Sequence, residues 1–171
     1  MSIAEAHQRL TAPGARFEME VVTIRGVPTR VWKNAPPTVR DVFLNACAFA
    51  ARECLVYEGE RATYGAFSRA VRVLAASFRE HGLVKGDRVA IMLRNCREWV
   101  WFDQAAAAQG LVTVPVYVDD RPDNIAYCLN DAGVKLLSAE GDEHLKRLAQ
   151  VRAQMPGVLR IVTVKAAAAQ E

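Results

Sequence analysis

The stretch from Gly82 to Tyr117 constrains the fold of this chain more than any other part of the sequence. It contains two short apolar runs without polar alternation, Arg88 to Leu93 and Val112 to Val116. Between them lies a segment of helical length that Asn95 can cap, with Glu98 three residues later as in a capping box. Two apolar strands joined by a helix predict a βαβ unit whose parallel sheet is covered on both faces.

The segments on either side of this unit extend it in both directions. Before it, the pattern predicts a hairpin, a helix, a second hairpin and a long helix that Gly82 closes. After it, helix and strand alternate twice more, which is typical of a doubly wound layer. The predicted bounds are strands Phe17–Ile24 and Val27–Lys33, a helix from Thr38, strands Cys54–Tyr57 and Glu60–Tyr64, a helix to His81, a helix to Gly110, a helix from Pro122 to Gly133, strand Val134–Ala139, helix Asp142–Gln154 and strand Leu159–Val164.

These elements predict an α/β fold, doubly wound, with a mainly parallel sheet, helices on both faces and a preceding β-hairpin. We expect a flexible start over residues 1–15, one α/β subdomain over 16–165 and an Ala-rich tail over 166–171. A chain of 171 residues is long enough for one domain with a core.

Charge and hydropathy exclude several classes of protein. The net charge is +3 and the 22 basic residues form no run, so we expect no nucleic-acid binding. The most apolar stretch, Trp99 to Val118, is interrupted by polar residues and Pro115, so no membrane span is expected. No signal region opens the chain, and we therefore expect a soluble, cytoplasmic protein.

The cysteines and histidines give no metal-binding spacing. The four cysteines form no C-x-x-C pair, and we interpret them as small buried side chains in a reducing compartment. A disulfide pair is the alternative that the sequence leaves open. His81, beside Gly82, is expected to cap a helix C-terminus, and His144 to face solvent. The cysteines are Cys47, Cys54, Cys96 and Cys128.

Catalytic motifs are absent from the 171 residues: there is no phosphate-binding P-loop, no G-x-S-x-G elbow and no H-E-x-x-H. Carboxylates adjoin at Asp119-Asp120, after a parallel strand, and at Asp142-Glu143. The first pair stands where α/β folds bind ligands, although ordinary loop and capping acids explain it as well. In the aromatic cluster Trp99, Trp101 and Phe102, core packing explains Trp99 and Phe102, and the functional alternative is that Trp101 helps to form an interface with a partner or another domain.

Three segments resemble the AMP-forming acyl-CoA synthetases, the adenylate-forming (AMP-binding) enzyme family. The first, Ala62 to Phe67, resembles a T-Y-x-E-L motif and departs from it at its last two residues. The second, Gly82 to Trp99, resembles G-V-x-x-G-D-R-V-A-I-M-L-P-N-x-P-E-W, with Arg94 and Arg97 in place of two prolines. The third, Gly110 to Pro115 with Ile125 to Leu137, resembles G-A-V-x-V-P followed by Y-I-L-x-D-S-G-A-K-V-L.

This resemblance covers roughly residues 17–165 and implies a two-step ligase. The family joins a carboxylate to AMP from ATP, with Mg²⁺, and then passes the acyl group to coenzyme A. Its Ser/Thr/Gly-rich phosphate loop, its adenine- and ribose-binding motifs and its catalytic lysine have no counterpart here. The resemblance therefore implies an N-terminal scaffold piece of a fatty-acyl-CoA ligase that is inactive alone and binds no cofactor itself. No catalytic residue is expected in it.

The same resemblance implies a site and partners. Tyr117, Asp119 and Asp120 correspond to a loop near the coenzyme A nucleotide in some relatives, and Lys146 and Arg147 to basic residues near its phosphates. The expected partner is the remainder of the ligase or a homodimer copy, and a small-molecule carboxylate is the expected substrate of the parent. The alternative from another class is a free-standing, non-catalytic α/β interaction module.

Overall fold

The structure, a computed structural model, describes residues 1–165, and the Ala-rich tail predicted at 166–171 lies outside them. The chain separates into two units, one formed by residues 1–38 and one that begins at Val39. The boundaries expected from the sequence, at residues 15 and 165, stay a prediction.

The first unit consists of a helix and a hairpin. Helix α1 (Ile3–Thr11) begins with a capping box, in which Ser2 Oγ accepts from the Glu5 N–H and the Glu5 carboxylate accepts from the Ser2 N–H. A helix thus lies within the segment expected to be a flexible start. Strands β1 (Met19–Ile24) and β2 (Val27–Trp32) pair antiparallel, as the predicted first hairpin requires.

The second unit contains the predicted order of elements. It opens with α2 (Val39–Ala46), the hairpin of β3 (Glu53–Tyr57) and β4 (Glu60–Thr63), and the long helix α3 (Tyr64–Glu80), whose N-terminus Thr63 caps through its side chain. Strands and helices then alternate to β8. Their bounds are β5 Arg88–Met92, α4 Arg97–Gln109, β6 Val112–Pro115, α5 Pro122–Asp131, β7 Val134–Glu140, α6 Gly141–Gln150 and β8 Arg160–Val164.

The sheet of this unit is parallel throughout, in the order β6-β5-β7-β8. Alternate residues of β5 enter two cores, because successive side chains of a strand point to opposite faces. Val89 and Ile91 pack with α2, α3 and α4, and Ala90 and Met92 pack with α5 and α6. The predicted doubly wound fold with helices on both faces is confirmed.

Three local predictions are wrong. The capping residue of α4 is Cys96, not Asn95, and it makes no side-chain cap hydrogen bond, because the helix begins one residue later than the expected capping box requires. His144 is buried, since it lies on the face of α6 that packs on the sheet. Cys128 is exposed rather than buried, whereas Cys96 is buried, and all four cysteines are free.

Among residues 1–165, no helix is both long enough and apolar enough to cross a bilayer.

Candidate functional site at the carboxyl edge of the sheet

The carboxyl ends of β5 and β7 form a switch point of the sheet. The helix that follows β5, α4, packs on one face, and the helix that follows β7, α6, packs on the other. The two connections diverge at this place and leave a crevice between the neighbouring strand ends. Open α/β sheets bind their ligands in such crevices.

Glu140 occupies this crevice as the last residue of β7. Its Oε2 accepts from the backbone N–H of Arg94, which follows β5, at 3.0 Å, and its Oε1 pairs with Lys165 Nζ at 3.0 Å. Burial raises the pKa of Glu140, but the hydrogen bonds from Lys165 and the Arg94 backbone outweigh it, so the net pKa is below the usual value. Glu140 is therefore an anion that ties the ends of three strands together.

The loop after β6 holds the first of the predicted site residues. Tyr117 is 85% exposed, and Asp119 pairs with Arg94 at 3.4 Å between largely exposed side chains, a contact of small energy. Asp120 Oδ1 accepts from the N–H of Arg121 and, at 3.0 Å, from Asn124 Nδ2, so this carboxylate serves the start of α5.

Arg147, on α6, is fixed to this same loop. Its Nη1 donates to the Val118 carbonyl at 2.5 Å, and its Nη2 donates to the Asp120 carbonyl. Lys146, the adjacent residue, is exposed. The structure thus brings Arg147 together with the Tyr117–Asp120 loop, and it engages the guanidinium with carbonyl oxygens of that loop.

A second part of the edge lies between the β3–β4 turn and the start of α4. Arg97 pairs there with Glu98 at 2.7 Å and with Glu60, and its Cζ lies 5.2 Å from the Trp101 ring centroid. Burial raises the pKa of Glu98, but Arg97 outweighs it and the net pKa is below the usual value. Together with Lys165, these charges line a small cavity of about 140 Å³.

An apolar cavity of about 240 Å³ adjoins this charged one. Cys96 and Trp99 contribute to its walls, and burial raises the pKa of the Cys96 thiol, so that thiol is no ready nucleophile. Two residues after Trp99 comes Trp101, whose indole Nε1 is buried and has no hydrogen-bond partner within the described chain. Trp101 is half-buried and packs against the core formed with α3 and α4, and its role in an interface stays a prediction.

Three residues of this edge were not predicted as site residues from the sequence: Glu140, Arg97 and Lys165. Glu140 could have been found, because it directly follows the predicted strand Val134–Ala139, and the predicted Asp119-Asp120 pair likewise stands beyond the end of a parallel strand. Lys165 gave no such signal, since it pairs with a residue 25 positions away.

The remaining sequence candidates have structural roles. His81 is the C-cap of α3, as predicted, with Nδ1 2.8 Å from the Ser77 carbonyl. Asp142 and Glu143 lie exposed in the first turn of α6, where the helix dipole favours carboxylates.

The described part of the chain contains no set of side chains that could bind a magnesium ion. No group of three or more His, Cys, Asp or Glu side chains there could hold a metal ion. The carboxylates of the edge are instead paired with arginine and lysine. The residues of this described part do not fit the Mg²⁺ that the family resemblance implies, and no step through that ion is derived for them.

Comparisons with known proteins agree with this architecture. The model of the family described as "AMP-binding enzyme" matches residues 43–171. The long-chain-fatty-acid–CoA ligase FadD15 of Mycobacterium bovis is 30% identical over 94 residues, which are 55% of this chain and 16% of that ligase. The chain thus spans about a sixth of the length of this relative.

Solved structures show the same fold. A Mycobacterium tuberculosis fatty acyl CoA synthetase superposes with a TM-score of 0.69 at 22% identity, covering 74% of this chain and 26% of that one. The NpsA N-terminal subdomain of Klebsiella oxytoca, in complex with anthranilyl-AMSN, gives a TM-score of 0.59 at 26% identity over 75% of this chain and 31% of that one.

Proposed function

Because the chain belongs to the AMP-binding enzyme family, we propose that it forms the N-terminal part of an ATP-dependent, AMP-forming acyl-CoA ligase. In that reaction a carboxylate oxygen attacks the α-phosphate of ATP, and pyrophosphate leaves. The coenzyme A thiol then attacks the acyl carbonyl and AMP leaves. The observation that carries the proposal is the family match over residues 43–171, together with a relative that is a long-chain-fatty-acid–CoA ligase.

The proposed role of this chain within the ligase is that of a scaffold. Its sequence has no glycine-rich phosphate loop, and its described carboxylates do not form a magnesium site. The groups that hold ATP and offset the charge of the forming adenylate therefore belong to other segments of the ligase. This chain contributes the parallel sheet and its carboxyl edge, and its partner is the remainder of the ligase or a second copy.

We assign Tyr117, Asp119, Asp120, Lys146 and Arg147 to the surroundings of the coenzyme A nucleotide. The exposed phenol ring of Tyr117 and the exposed ammonium of Lys146 are available to a nucleotide. Arg147 acts on it through the loop, because its donors already engage the Val118 and Asp120 carbonyls. Arg147 is in this sense a positioning residue.

The ligase proposal is tested first on the coding sequence and then on the protein. We expect the reading frame to continue beyond residue 171 into a Ser/Thr/Gly-rich loop that ends in Pro-Lys-Gly. The encoded protein should exchange labelled pyrophosphate into ATP only when a fatty acid is present, and release AMP when coenzyme A is added. A stop codon directly after residue 171 would refute the ligase proposal and favour an interaction module.

The coenzyme A assignment has a separate test in the same protein. Tyr117→Ala should raise the KM for coenzyme A and leave the KM for ATP unchanged. Tyr127→Ala is the matched control, since Tyr127 is also an exposed tyrosine, on α5. Equal KM values for coenzyme A in the two variants would remove Tyr117 from the site while leaving the ligase activity itself intact.

A cytoplasmic location is part of the proposal. It is supported by four cysteines that all carry free thiols, as is usual in a reducing compartment. Cell fractionation with an antibody against the chain would test it, and recovery in a secreted fraction would refute it.

A further inference from the structure

A groove away from the carboxyl edge carries three arginines. It lies between α2, α3 and α4 and has a volume of about 350 Å³, at the small end of the range of ligand pockets, about 300–1,000 Å³. Its rim and floor differ in character. The rim carries Arg40, Arg72 and Arg79, and the floor is formed by Phe43, Val71 and Ala75.

The charges of this groove are of one sign. None of its lining side chains is acidic in the described part of the chain. Arg79 is exposed and makes no ion pair with another residue of 1–165, and Arg72 donates its Nε to Ser68 Oγ at 3.3 Å. Arg72 and Arg79 stand seven residues apart on α3 and so lie on the same side of that helix. The rim therefore offers the guanidinium donors of Arg72 and Arg79, neither of which is in an ion pair within residues 1–165.

The floor of the groove is apolar. Phe43, Val71 and Ala75 are almost fully buried, and Leu44, which also lines the groove, is 46% exposed. Gln109 at the end of α4 donates its Nε2 to the Ala75 carbonyl at 3.2 Å and so attaches α4 to α3 beside the groove. A ligand that fits has an anionic head at the rim and an apolar part against Leu44 and the floor.

We propose that this groove binds a short anionic amphiphile, in which a carboxylate or phosphate head meets Arg72 and Arg79 and an alkyl group lies on the apolar floor. Guanidinium groups match both heads, because their planar donors form paired hydrogen bonds with carboxylate and phosphate oxygens. The site is separate from the proposed ligase chemistry, since it lies away from the carboxyl edge and needs neither ATP nor coenzyme A.

Calorimetric titration of the purified chain tests the proposal with four probes: octanoate, octyl phosphate, octanol and inorganic phosphate. We expect one octanoate or octyl phosphate per chain, and the tighter of the two identifies the head group. Octanol and inorganic phosphate should bind at least tenfold more weakly, because each lacks one of the two features. Equal binding of octanol or of inorganic phosphate would overturn the proposal.

Variants test which arginines hold the head. Arg72→Gln and Arg79→Gln should each weaken binding about fivefold, the upper range for partly exposed ion pairs. Arg69→Gln is the matched control, because Arg69 is exposed on the same helix but does not line the groove. Unchanged affinity in the Arg72→Gln/Arg79→Gln double variant, with an unchanged melting temperature, would overturn the proposal.

A chain-length series tests the floor without any substitution. Four methylene groups distinguish octanoate from butanoate, and each is worth up to about 0.8 kcal/mol when buried. For groups only partly covered in an open groove, we expect octanoate to bind about tenfold more tightly. Equal affinity of the two acids would show that the floor takes no part and would overturn the amphiphile assignment.

Discussion

Replacing Arg147 with glutamine removes the guanidinium that holds the loop after β6. That guanidinium is half-buried and donates to the carbonyls of Val118 and Asp120. Hydrogen bonds that involve a charged group contribute about 1.5–3 kcal/mol each, and a glutamine amide could restore one neutral bond worth about 1 kcal/mol. We therefore expect Arg147→Gln to destabilise the loop by about 2 kcal/mol.

The matched control is Lys146→Gln, which removes the same charge from the neighbouring residue. Lys146 is exposed, and such surface substitutions usually change the free energy of unfolding by no more than about 0.5 kcal/mol. A difference between the two variants thus measures the two carbonyl contacts rather than the charge of α6.

Two assays together measure this effect. If the loop unfolds with the whole unit, a loss of about 2 kcal/mol at a slope of about 2 kcal/mol per M lowers the urea midpoint by roughly 1 M. If the loop opens locally, hydrogen exchange of the amides at 118–121 should accelerate about 30-fold while the midpoint stays constant. The reasoning is refuted if Arg147→Gln and Lys146→Gln agree in both the midpoint and the exchange rates.

Three further predictions concern other parts of the second unit. Gly133→Ala should lower the free energy of unfolding more than Gly82→Ala does. Both glycines have a positive φ, at which alanine costs about 1–2 kcal/mol, but only at Gly133 would the new Cβ overlap Arg88 Nη2. Urea unfolding checks this, and equal costs would show that Arg88 moves away freely. The folded-state pKa of Glu140 is depressed, so its stabilisation is present above pH 4.5 and is lost as the pH falls through the folded pKa. The stability gap between the wild type and Glu140→Gln should therefore shrink below pH 4.5, and a gap that widens there would contradict the assignment. Val162 is 37% exposed on β8, which within the described chain pairs only with β7. We expect the isolated chain to associate through this edge, so Val162→Lys should lower the average mass measured by sedimentation. If the unsubstituted chain sediments as a monomer at high concentration, β8 is not an edge through which chains associate.

The order of strands and helices could be read from the sequence because it depends on local patterns. Apolar runs of strand length, such as Arg88 to Leu93, and the turn and cap signals at Gly82 and Pro122 act over a few residues. The same local rules fail at the start of α4, where a shift of one residue changes the capping residue. Asn95 has the right side chain for a cap, yet α4 begins after Cys96.

The candidate site was predictable only in part. The rule that ligands bind beyond the carboxyl ends of parallel strands singled out Asp119 and Asp120, and the family resemblance added Tyr117. It did not reveal that Arg147 would use its donors on that loop, because this contact joins residues 27 and 29 positions apart. The family resemblance assigned Lys146 and Arg147 the same role. In the structure Lys146 is exposed, whereas Arg147, the next residue of α6, donates to the loop carbonyls.

The sequence by itself determined the α/β class, the parallel strands and the family, because all three depend on short sequence patterns and on the order of those patterns along the chain. The tertiary structure alone decided which charges meet, as in the joining of Arg94, Glu140 and Lys165 at the strand ends. It also decided the burial of His144 and the gathering of three arginines over an apolar floor. The physical reason is that a side chain's partners depend on how helices pack across a sheet, and that packing joins residues that no local pattern relates.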